Sequence, residues 1–231
     1  MSPTLVRSLV TILEAKDIST AAHTWRVVLY TRALAERFTD DHQFLQRLTY
    51  GAALHDVGKI EIPDAVLLKP GKLTADEFEI IKQHPTLGWE RLRRFNEADP
   101  LVLNLVRHHH ERWDGAGYPD RLAGDAIPPA ARYFAVVDAF DAMTSIRPYR
   151  KEVGPEAADK AIDELMSNRG IRYQADAVDA FVQLYRSGQL GWILEYFNDR
   201  CPMPDYEALD NCSKVRPSKP PLNAPDSPKP E

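Results

Sequence analysis

The sequence predicts an all-α protein that folds as a single helical bundle. Apolar residues recur at intervals of three and four along most of the chain, whereas the strict alternation of a half-buried strand is almost absent. The 231 residues are 44% hydrophobic and 27% charged, which suffices for one well-filled core. Proline and glycine divide the periodic segments into about seven or eight helices.

The first two long helices are predicted from residues 20–38 and from the segment that ends near residue 56. In the first, His23 shares a stripe with apolar residues at helical spacing. In the second, apolar residues in steps of four lead to His55–Asp56, and Gly58 ends the helix. A histidine therefore lies on or at the end of each apolar face.

Two further helices have clear starting signals. Residues 74–77 form a capping box that opens a helix carrying His84, and Pro85 is expected to interrupt that helix. Asp99–Pro100 combines an N-cap with proline at the first helical position. The helix that follows carries His109 on its apolar face.

The second half of the chain contains three predicted helices. Pro128–Pro129 opens one with Asp138 on its apolar stripe, where a desolvated carboxylate needs a cationic partner. Gly154–Pro155 begins the next, which closes at Gly170, and a last helix is predicted over residues 175–197.

We divide the chain into a lead-in helix or arm at residues 1–18, a helical domain at 19–198 that carries all the histidines, and a tail at 199–231. The tail is rich in proline and poor in apolar residues, so it is predicted to be disordered. Cys201 and Cys212 both lie in this tail, outside every motif, and indicate neither a disulfide framework nor a zinc site.

Charge and hydropathy limit the partners and the location. The net charge of −5 gives no overall attraction for DNA or for an anionic membrane, so neither is expected as a partner. No apolar run reaches the roughly 20 residues of a membrane span, and no secretory leader is recognisable. The cytoplasm is therefore the expected location.

Five of the seven histidines fall into a pattern that suggests metal binding, together with two aspartates. Imidazole nitrogens and carboxylate oxygens without thiolate suit iron, manganese or zinc in an open hydrolytic site. Any single histidine of this kind is more often an ordinary core residue, but their coincidence at helix ends favours a polynuclear centre. The candidate ligands are His23, His55, Asp56, His84, His109, His110 and Asp138.

Two stretches resemble the signatures of the HD-GYP family, a branch of the HD phosphohydrolase superfamily. His55–Lys59 is similar to its HD-G-K signature and His109–Pro119 to its second signature. The resemblance covers about residues 19 to 182. It continues through the segments Ile62–Asp64, Leu67–Thr74, Lys82–Pro85, Val137–Ser145 and Arg147–Arg150.

The resemblance implies a helical bundle that hydrolyses cyclic di-GMP on two or three divalent metal ions, usually iron or manganese. It implies that all seven candidate residues ligate metal, with Asp56 as a bridging catalytic carboxylate. Lys59 matches a catalytic lysine that faces the substrate phosphate. The remaining substrate-binding positions that match are Gly117, Tyr118, Arg147 and Arg150.

The sequence also departs from the family pattern. Ser19 stands where members with three metals carry glutamate, which favours two ions over three. Residues 173–175 read Tyr-Gln-Ala where the family often has Phe-Asp-Pro. No sensor domain precedes the bundle, so a sensor or a diguanylate cyclase acting in trans is the protein partner to expect.

The predicted reaction uses a metal-activated hydroxide to open cyclic di-GMP to pGpG or GMP. Two alternatives stay open: another cyclic or linear dinucleotide, such as cyclic GMP-AMP, and a catalytically weak module that binds signalling partners. The roles of two residues are also left open. Lys59 either faces the substrate phosphate or pairs with Glu61 or Asp64 on the surface. Glu111 is either an orienting partner of a ligand histidine or a helix-end residue.

Overall fold

The computed structural model describes residues 2–16, 20–145 and 155–196. Within these ranges the chain forms eleven α-helices, two 3-10 helices at Val57–Glu61 and Gly124–Ala126, and no strand, so the predicted all-α class is confirmed. The α-helices are α1 (Pro3–Lys16), α2 (Thr20–Ala35), α3 (His42–Leu54), α4 (Asp64–Leu67), α5 (Ala75–Ile81), α6 (His84–Arg94), α7 (Pro100–His108), α8 (Pro129–Thr144), α9 (Pro155–Ser167), α10 (Ala175–Arg186) and α11 (Gly191–Tyr196).

Two predicted helix boundaries are wrong. Pro85 does not interrupt a helix that contains His84, because α5 ends at Ile81 and Pro85 lies in the first turn of α6. A proline is tolerated there because the first-turn N–H groups have no partner within the helix. The predicted helix over residues 175–197 is split into α10 and α11, with Gly188 between them at φ +75.

The core is aromatic at its centre. Tyr30, Phe140 and Phe181 are fully buried and meet in edge-to-face and tilted pairs, with centroids 4.9 to 6.2 Å apart. These rings belong to α2, α8 and α10, and the core that they occupy also takes in side chains from α3, α7 and α9. One continuous core therefore fixes the helices that carry the candidate ligands.

Helix α1 packs on this same core through an apolar face that includes Val6 and Leu9. At its end, Lys16 Nζ donates to the carbonyl oxygens of Ile60 and Ile62 at 2.7 and 2.6 Å. Lys16 thus ties α1 to the 3-10 helix that directly follows His55 and Asp56. The proposed boundary after residue 18 stays a prediction.

Several predicted features lie outside the described residues. They are Ser19, Arg147, Arg150 and the proline-rich segment 199–231. None of the helices in the described part of the chain combines the length and the apolar composition that crossing a bilayer requires.

Candidate metal centre

Three candidate ligands occupy equivalent positions just past or near a helix end. His55 follows α3, His84 follows α5 as the first residue of α6, and His109 follows α7. The carbonyls of a last helical turn lack partners within the helix, and each imidazole uses one of them. The contacts run from Nδ1 to the carbonyl three residues earlier: His55 to Ala52 at 2.8 Å, His84 to Ile81 at 2.8 Å and His109 to Val106 at 2.9 Å.

This repeated contact fixes the ring tautomer. A backbone carbonyl only accepts hydrogen bonds, so Nδ1 of each of these rings carries the proton. Nε2 then presents a free lone pair toward the interior of the bundle. Each helix end therefore delivers one oriented nitrogen ligand.

His23, on α2, is oriented by a side chain instead of a carbonyl. Its Nδ1 lies 2.7 Å from Oδ2 of Asp141, which is fully buried on α8. Arg26 donates to both oxygens of the same carboxylate at 2.6 and 3.2 Å, and Ser145 Oγ donates to Oδ2 at 2.8 Å. Asp141 thereby fixes the orientation of the His23 ring, and Nε2 faces His55.

The first group of candidate ligands is His23, His55 and Asp138. The Nε2 atoms of the two histidines are 3.2 Å apart, and Oδ1 of Asp138 is 3.7 and 4.0 Å from them. Two lone pairs facing each other at this distance repel unless a cation lies between them. Two nitrogens bound to one divalent ion at about 2.1 Å are about 3.0–3.4 Å apart, so the group fits a metal.

The second group is His84, His109 and His110. His84 Nε2 and His109 Nε2 are again 3.2 Å apart, and both nitrogens are unprotonated by the tautomer argument. The His110 ring packs against the His109 ring with centroids 4.2 Å apart. The same 3.2 Å spacing, here with three imidazoles and no carboxylate, makes this group a second candidate metal site.

Asp56 lies between the two groups. Its Oδ2 is 3.3 Å from His55 Nε2, and its Oδ1 is 3.3 Å from His84 Nε2. The carboxylate is 3% exposed, and Lys59 Nζ donates to its Oδ2 at 2.6 Å. One carboxylate therefore faces both histidine groups, with an ammonium beside it.

The electrostatics of the cluster favour a bound cation. Burial opposes ionisation of Asp56, but Lys59 and His55 hold the pKa of its carboxyl well below the usual range. Burial lowers the pKa of His84 to about 4, and burial together with neighbouring imidazoles lowers the pKa of His109 far below its ordinary value. At neutral pH Asp56 is therefore a carboxylate, and His84 and His109 are uncharged imidazoles, the protonation state that metal binding requires.

His55 is the exception among these rings. Burial acts to lower its pKa, but Asp56 and Asp138 on either side raise it above the ordinary value. The negative charge of these two carboxylates therefore outweighs burial at His55, which favours a cation beside this ring.

Glycine allows the backbone segments of the site to approach each other. A Cβ on Gly58 would lie 1.9 Å from the carbonyl oxygen of His84, so the 3-10 helix rests directly on the start of α6. A Cβ on Gly117 would lie 2.4–2.6 Å from backbone atoms of residues 110–112. This second approach brings the Tyr118 ring onto the His110 ring, with centroids 4.8 Å apart.

Glu111 has a different role from the two that the sequence left open. Its Oε1 and Oε2 accept hydrogen bonds from the backbone N–H groups of Asp120 and Leu122, at 2.7 and 3.1 Å. It therefore anchors the loop that follows Tyr118. The alternative partners of Lys59 are also wrong, because Glu61 pairs with Arg91 and Asp64 with Lys16, while Lys59 pairs with Asp56.

The structure brings all seven candidate ligands together, with Lys59, Gly117 and Tyr118 beside them. Sequence reasoning missed Arg26 and Asp141, and it placed the buried carboxylate of α8 at the wrong residue. The Asp138 side chain is 18% exposed, whereas Asp141, three residues later, is fully buried. Asp141 lies one turn from Asp138, and this i, i+3 spacing was the signal available in the sequence.

Comparison with known proteins agrees with this geometry. A family model described as HD domain matches residues 7–176. The cyclic di-GMP phosphodiesterase of Thermotoga maritima is 43% identical over 172 residues, covering 74% of this chain and 46% of the relative. The response regulator RpfG of Xanthomonas campestris, also named a cyclic di-GMP phosphodiesterase, is 41% identical over 175 residues, covering 74% and 45%. The chain thus spans less than half the length of these relatives.

A third relative, the 3'3'-cGAMP-specific phosphodiesterase 2 of Vibrio cholerae, is 37% identical over 183 residues, covering 79% of this chain and 34% of the relative. Among solved structures, Bd1817, an HDG"Y"P protein from Bdellovibrio bacteriovorus, matches with a TM-score of 0.59 at 24% identity, over 74% of this chain and 53% of that one. The HD domain of PgpH from L. monocytogenes, solved with cyclic di-AMP, matches with a TM-score of 0.56 at 17% identity, over 80% and 96%. These two structures support the fold.

Because the family model matches residues 7–176, the chain belongs to the HD domain family. Its resemblance to the cyclic di-GMP phosphodiesterases of that family is confirmed by the relatives that are 41–43% identical.

Proposed function

We propose that this chain is a metal-dependent phosphodiesterase that opens cyclic di-GMP on two divalent cations. One observation carries the proposal: the two oxygens of Asp56 each lie 3.3 Å from an imidazole nitrogen, and the two imidazoles belong to separate groups. A single carboxylate that faces two preformed nitrogen sites is the arrangement of a bridged dinuclear centre.

In this proposal His23, His55 and Asp138 would hold the first ion, and His84, His109 and His110 would hold the second. Asp56, which faces both groups, would be the carboxylate that the two ions share. Nitrogen and oxygen donors without sulfur suit iron or manganese, and we assign two ions of one of these metals. When bound, the ions supply a hydroxide at neutral pH and offset negative charge at phosphorus.

The residues of the chain then have separate tasks. Asp141 and the three last-turn carbonyls hold four imidazole rings in fixed orientations, so these rings need not move when substrate binds. Lys59 has its ammonium 2.6 Å from Asp56 and 24% exposed, which allows it to turn toward a non-bridging phosphate oxygen. Tyr118, packed on His110, offers an aromatic face to a nucleotide base.

Arg147 and Arg150 complete the proposed substrate site as phosphate-binding residues, on the strength of the family resemblance alone. A diguanylate cyclase or a sensor acting in trans stays the proposed protein partner. These two relatives are more than twice as long as the segments that match this chain.

A second substrate has specific support. The relative from Vibrio cholerae is named for 3'3'-cGAMP, which differs from cyclic di-GMP in one base and has the same kind of phosphodiester. Cyclic GMP-AMP is therefore the alternative substrate. A module without catalysis is disfavoured, because every candidate ligand within the described residues points into the centre.

The test is a hydrolysis panel on purified protein, loaded anaerobically with Fe²⁺ or with Mn²⁺. The substrates are cyclic di-GMP, cyclic GMP-AMP, cyclic di-AMP and linear pGpG, and metal content is measured on the same samples. We expect two ions per chain and fastest turnover of cyclic di-GMP. Asp56→Ala serves as the control, and we expect it to lose turnover and to bind fewer ions.

Two results would contradict the proposal. Metal stoichiometry of two with no hydrolysis of any member of the panel would support the binding module instead. Full activity of the Asp56→Ala variant would rule out a bridging carboxylate.

A further inference from the structure

An aromatic and cationic surface extends outward from the metal centre. It consists of Tyr118, Lys82 and Phe78, and Tyr118 connects it to the centre through its contact with His110. The Nζ atom of Lys82 lies 5.7 Å from the centroid of the Tyr118 ring and 5.7 Å from that of the Phe78 ring. The two rings are therefore no farther apart than twice this distance, with one ammonium between them.

Phe78 is not used by the core of the protein. The residue is 48% exposed, although it lies on α5 one turn before the end of the helix. A single exposed aromatic residue is common on protein surfaces. Here, however, the exposed ring lies beside a second aromatic residue that packs on a candidate metal ligand.

Lys82 is available to a ligand. Its ammonium pairs with Glu79 at 2.7 and 3.0 Å, three residues earlier, and the Glu79 side chain is 66% exposed. A solvent-exposed pair at this spacing contributes little to stability, so a ligand displaces it at small cost. The Lys82 ammonium lies 5.7 Å from the centroids of both rings.

We propose that Phe78 and Lys82 extend Tyr118 into a subsite for a purine base, and that Lys82 selects guanine. This inference rests on the proposed function and names the base that the site prefers. A base stacks on an aromatic ring whatever its identity. Guanine also presents two neighbouring acceptors, O6 and N7, to a lysine, whereas adenine presents a donor at N6 beside N7.

The two side chains therefore have separable effects. Phe78 contributes affinity for either purine, because stacking does not distinguish them. Lys82 contributes discrimination, because its N–H groups match the acceptor pair of guanine and oppose the amino group of adenine. The subsite thus favours dinucleotides that contain guanine, and it favours cyclic di-GMP most because either base of that molecule satisfies it.

The experiment is calorimetric titration of the Mn²⁺-loaded full chain with GMP and, separately, with AMP. These mononucleotides contain no diester, so the readout does not depend on turnover of the enzyme. The variants are Phe78→Ala and Lys82→Met. Their matched controls are Phe95→Ala, a residue 46% exposed at the end of α6, and Lys72→Met, an exposed lysine before α5.

We expect Phe78→Ala to weaken GMP and AMP alike, by roughly fivefold to a hundredfold. Lys82→Met is expected to weaken GMP by roughly fivefold or more while AMP changes little, so that the preference for GMP is lost. The controls are expected to leave both affinities unchanged. All four positions are exposed or partly exposed, so the variants should remain folded.

Equal weakening of GMP and AMP by Lys82→Met would overturn base selection, since a lysine that only attracts phosphate acts on both. Unchanged affinities in Phe78→Ala would overturn the stacking role. A wild type that hydrolyses no cyclic dinucleotide, but whose GMP affinity depends on these two residues as stated, refutes the proposed reaction and supports the subsite.

Discussion

Replacing Asp141 by asparagine tests whether the buried carboxylate of α8 supports both the fold and the metal centre. Asp141 is fully buried and accepts hydrogen bonds from Arg26, His23 and Ser145. Burial opposes its ionisation, but Arg26 and His23 keep its pKa well below the usual value, so the carboxylate is charged throughout the neutral range. The substitution removes this charge with little change in shape.

The size of the effect follows from the burial of both partners. The Arg26 side chain is 5% exposed, and removing the carboxylate from a buried ion pair typically costs about 3–5 kcal/mol. A domain from the middle or upper part of the ordinary stability range, about 5–15 kcal/mol, remains folded after such a loss. His23 loses the acceptor that fixes its tautomer, and loss of such a partner usually lowers metal affinity about 10- to 100-fold.

The assay combines urea unfolding of the metal-free protein with titration of Mn²⁺ into the folded protein. Asp179→Asn is the matched control, because Asp179 pairs with Arg169 on the surface and is 48% exposed, and we expect a loss below about 1 kcal/mol. If Asp141→Asn matches this control in stability and binds Mn²⁺ as the wild type does, the carboxylate neither supports the core nor orients His23.

Further predictions concern backbone approach, pH and metal. In Gly58→Ala the new Cβ would lie 1.9 Å from the carbonyl oxygen of His84 and would force the 3-10 helix away from it. We expect a lower melting temperature and loss of metal binding. Gly191→Ala is the control, because the space around Gly191 is open. Glu14 has its pKa raised by burial from 4.5 to about 7. The folded state therefore holds the Glu14 proton more tightly than the unfolded state does. The contribution of this proton to the free energy of unfolding is complete below pH 4.5 and is lost as pH rises through about 7. Unfolding measured at pH 5 and pH 8 should show this fall in wild type and a smaller one in Glu14→Gln; equal pH dependence in the two would exclude the assignment. Saturating Mn²⁺ should raise the melting temperature of wild type, and an unchanged melting curve would show that the folded state does not bind it.

Much of the centre was predictable because its ligands are local features of sequence. His55 and His109 follow apolar helical stripes that end at them, so their position at a helix end can be read directly. His84 lies with the other candidate ligands, although the predicted helix boundary around it was wrong. The error arose because proline has two meanings, a break within a helix and a start in its first turn, and only the preceding backbone distinguishes them.

The residues that orient the candidate ligands, Asp141 and Arg26, could not be predicted in the same way. Asp138 and Asp141 lie on one helix, and a stripe of apolar neighbours does not decide which of them faces the core and which faces the histidines. That depends on the rotation of α8 against α2, which brings Arg26 to Asp141. Contacts between residues more than 100 positions apart leave no periodic signal in a single sequence.

The helix-end histidines also determine how the centre responds to movement. Each of these three rings is hydrogen-bonded to the carbonyl three residues earlier, in the last turn of the preceding helix. The ring therefore has little freedom to rotate independently of that helix. The distance between the two groups of candidate ligands is consequently set by how whole helices pack against each other. Any binding event that slides α3 relative to α7 by a fraction of an ångström therefore changes the distance between the two groups of candidate ligands by a similar amount.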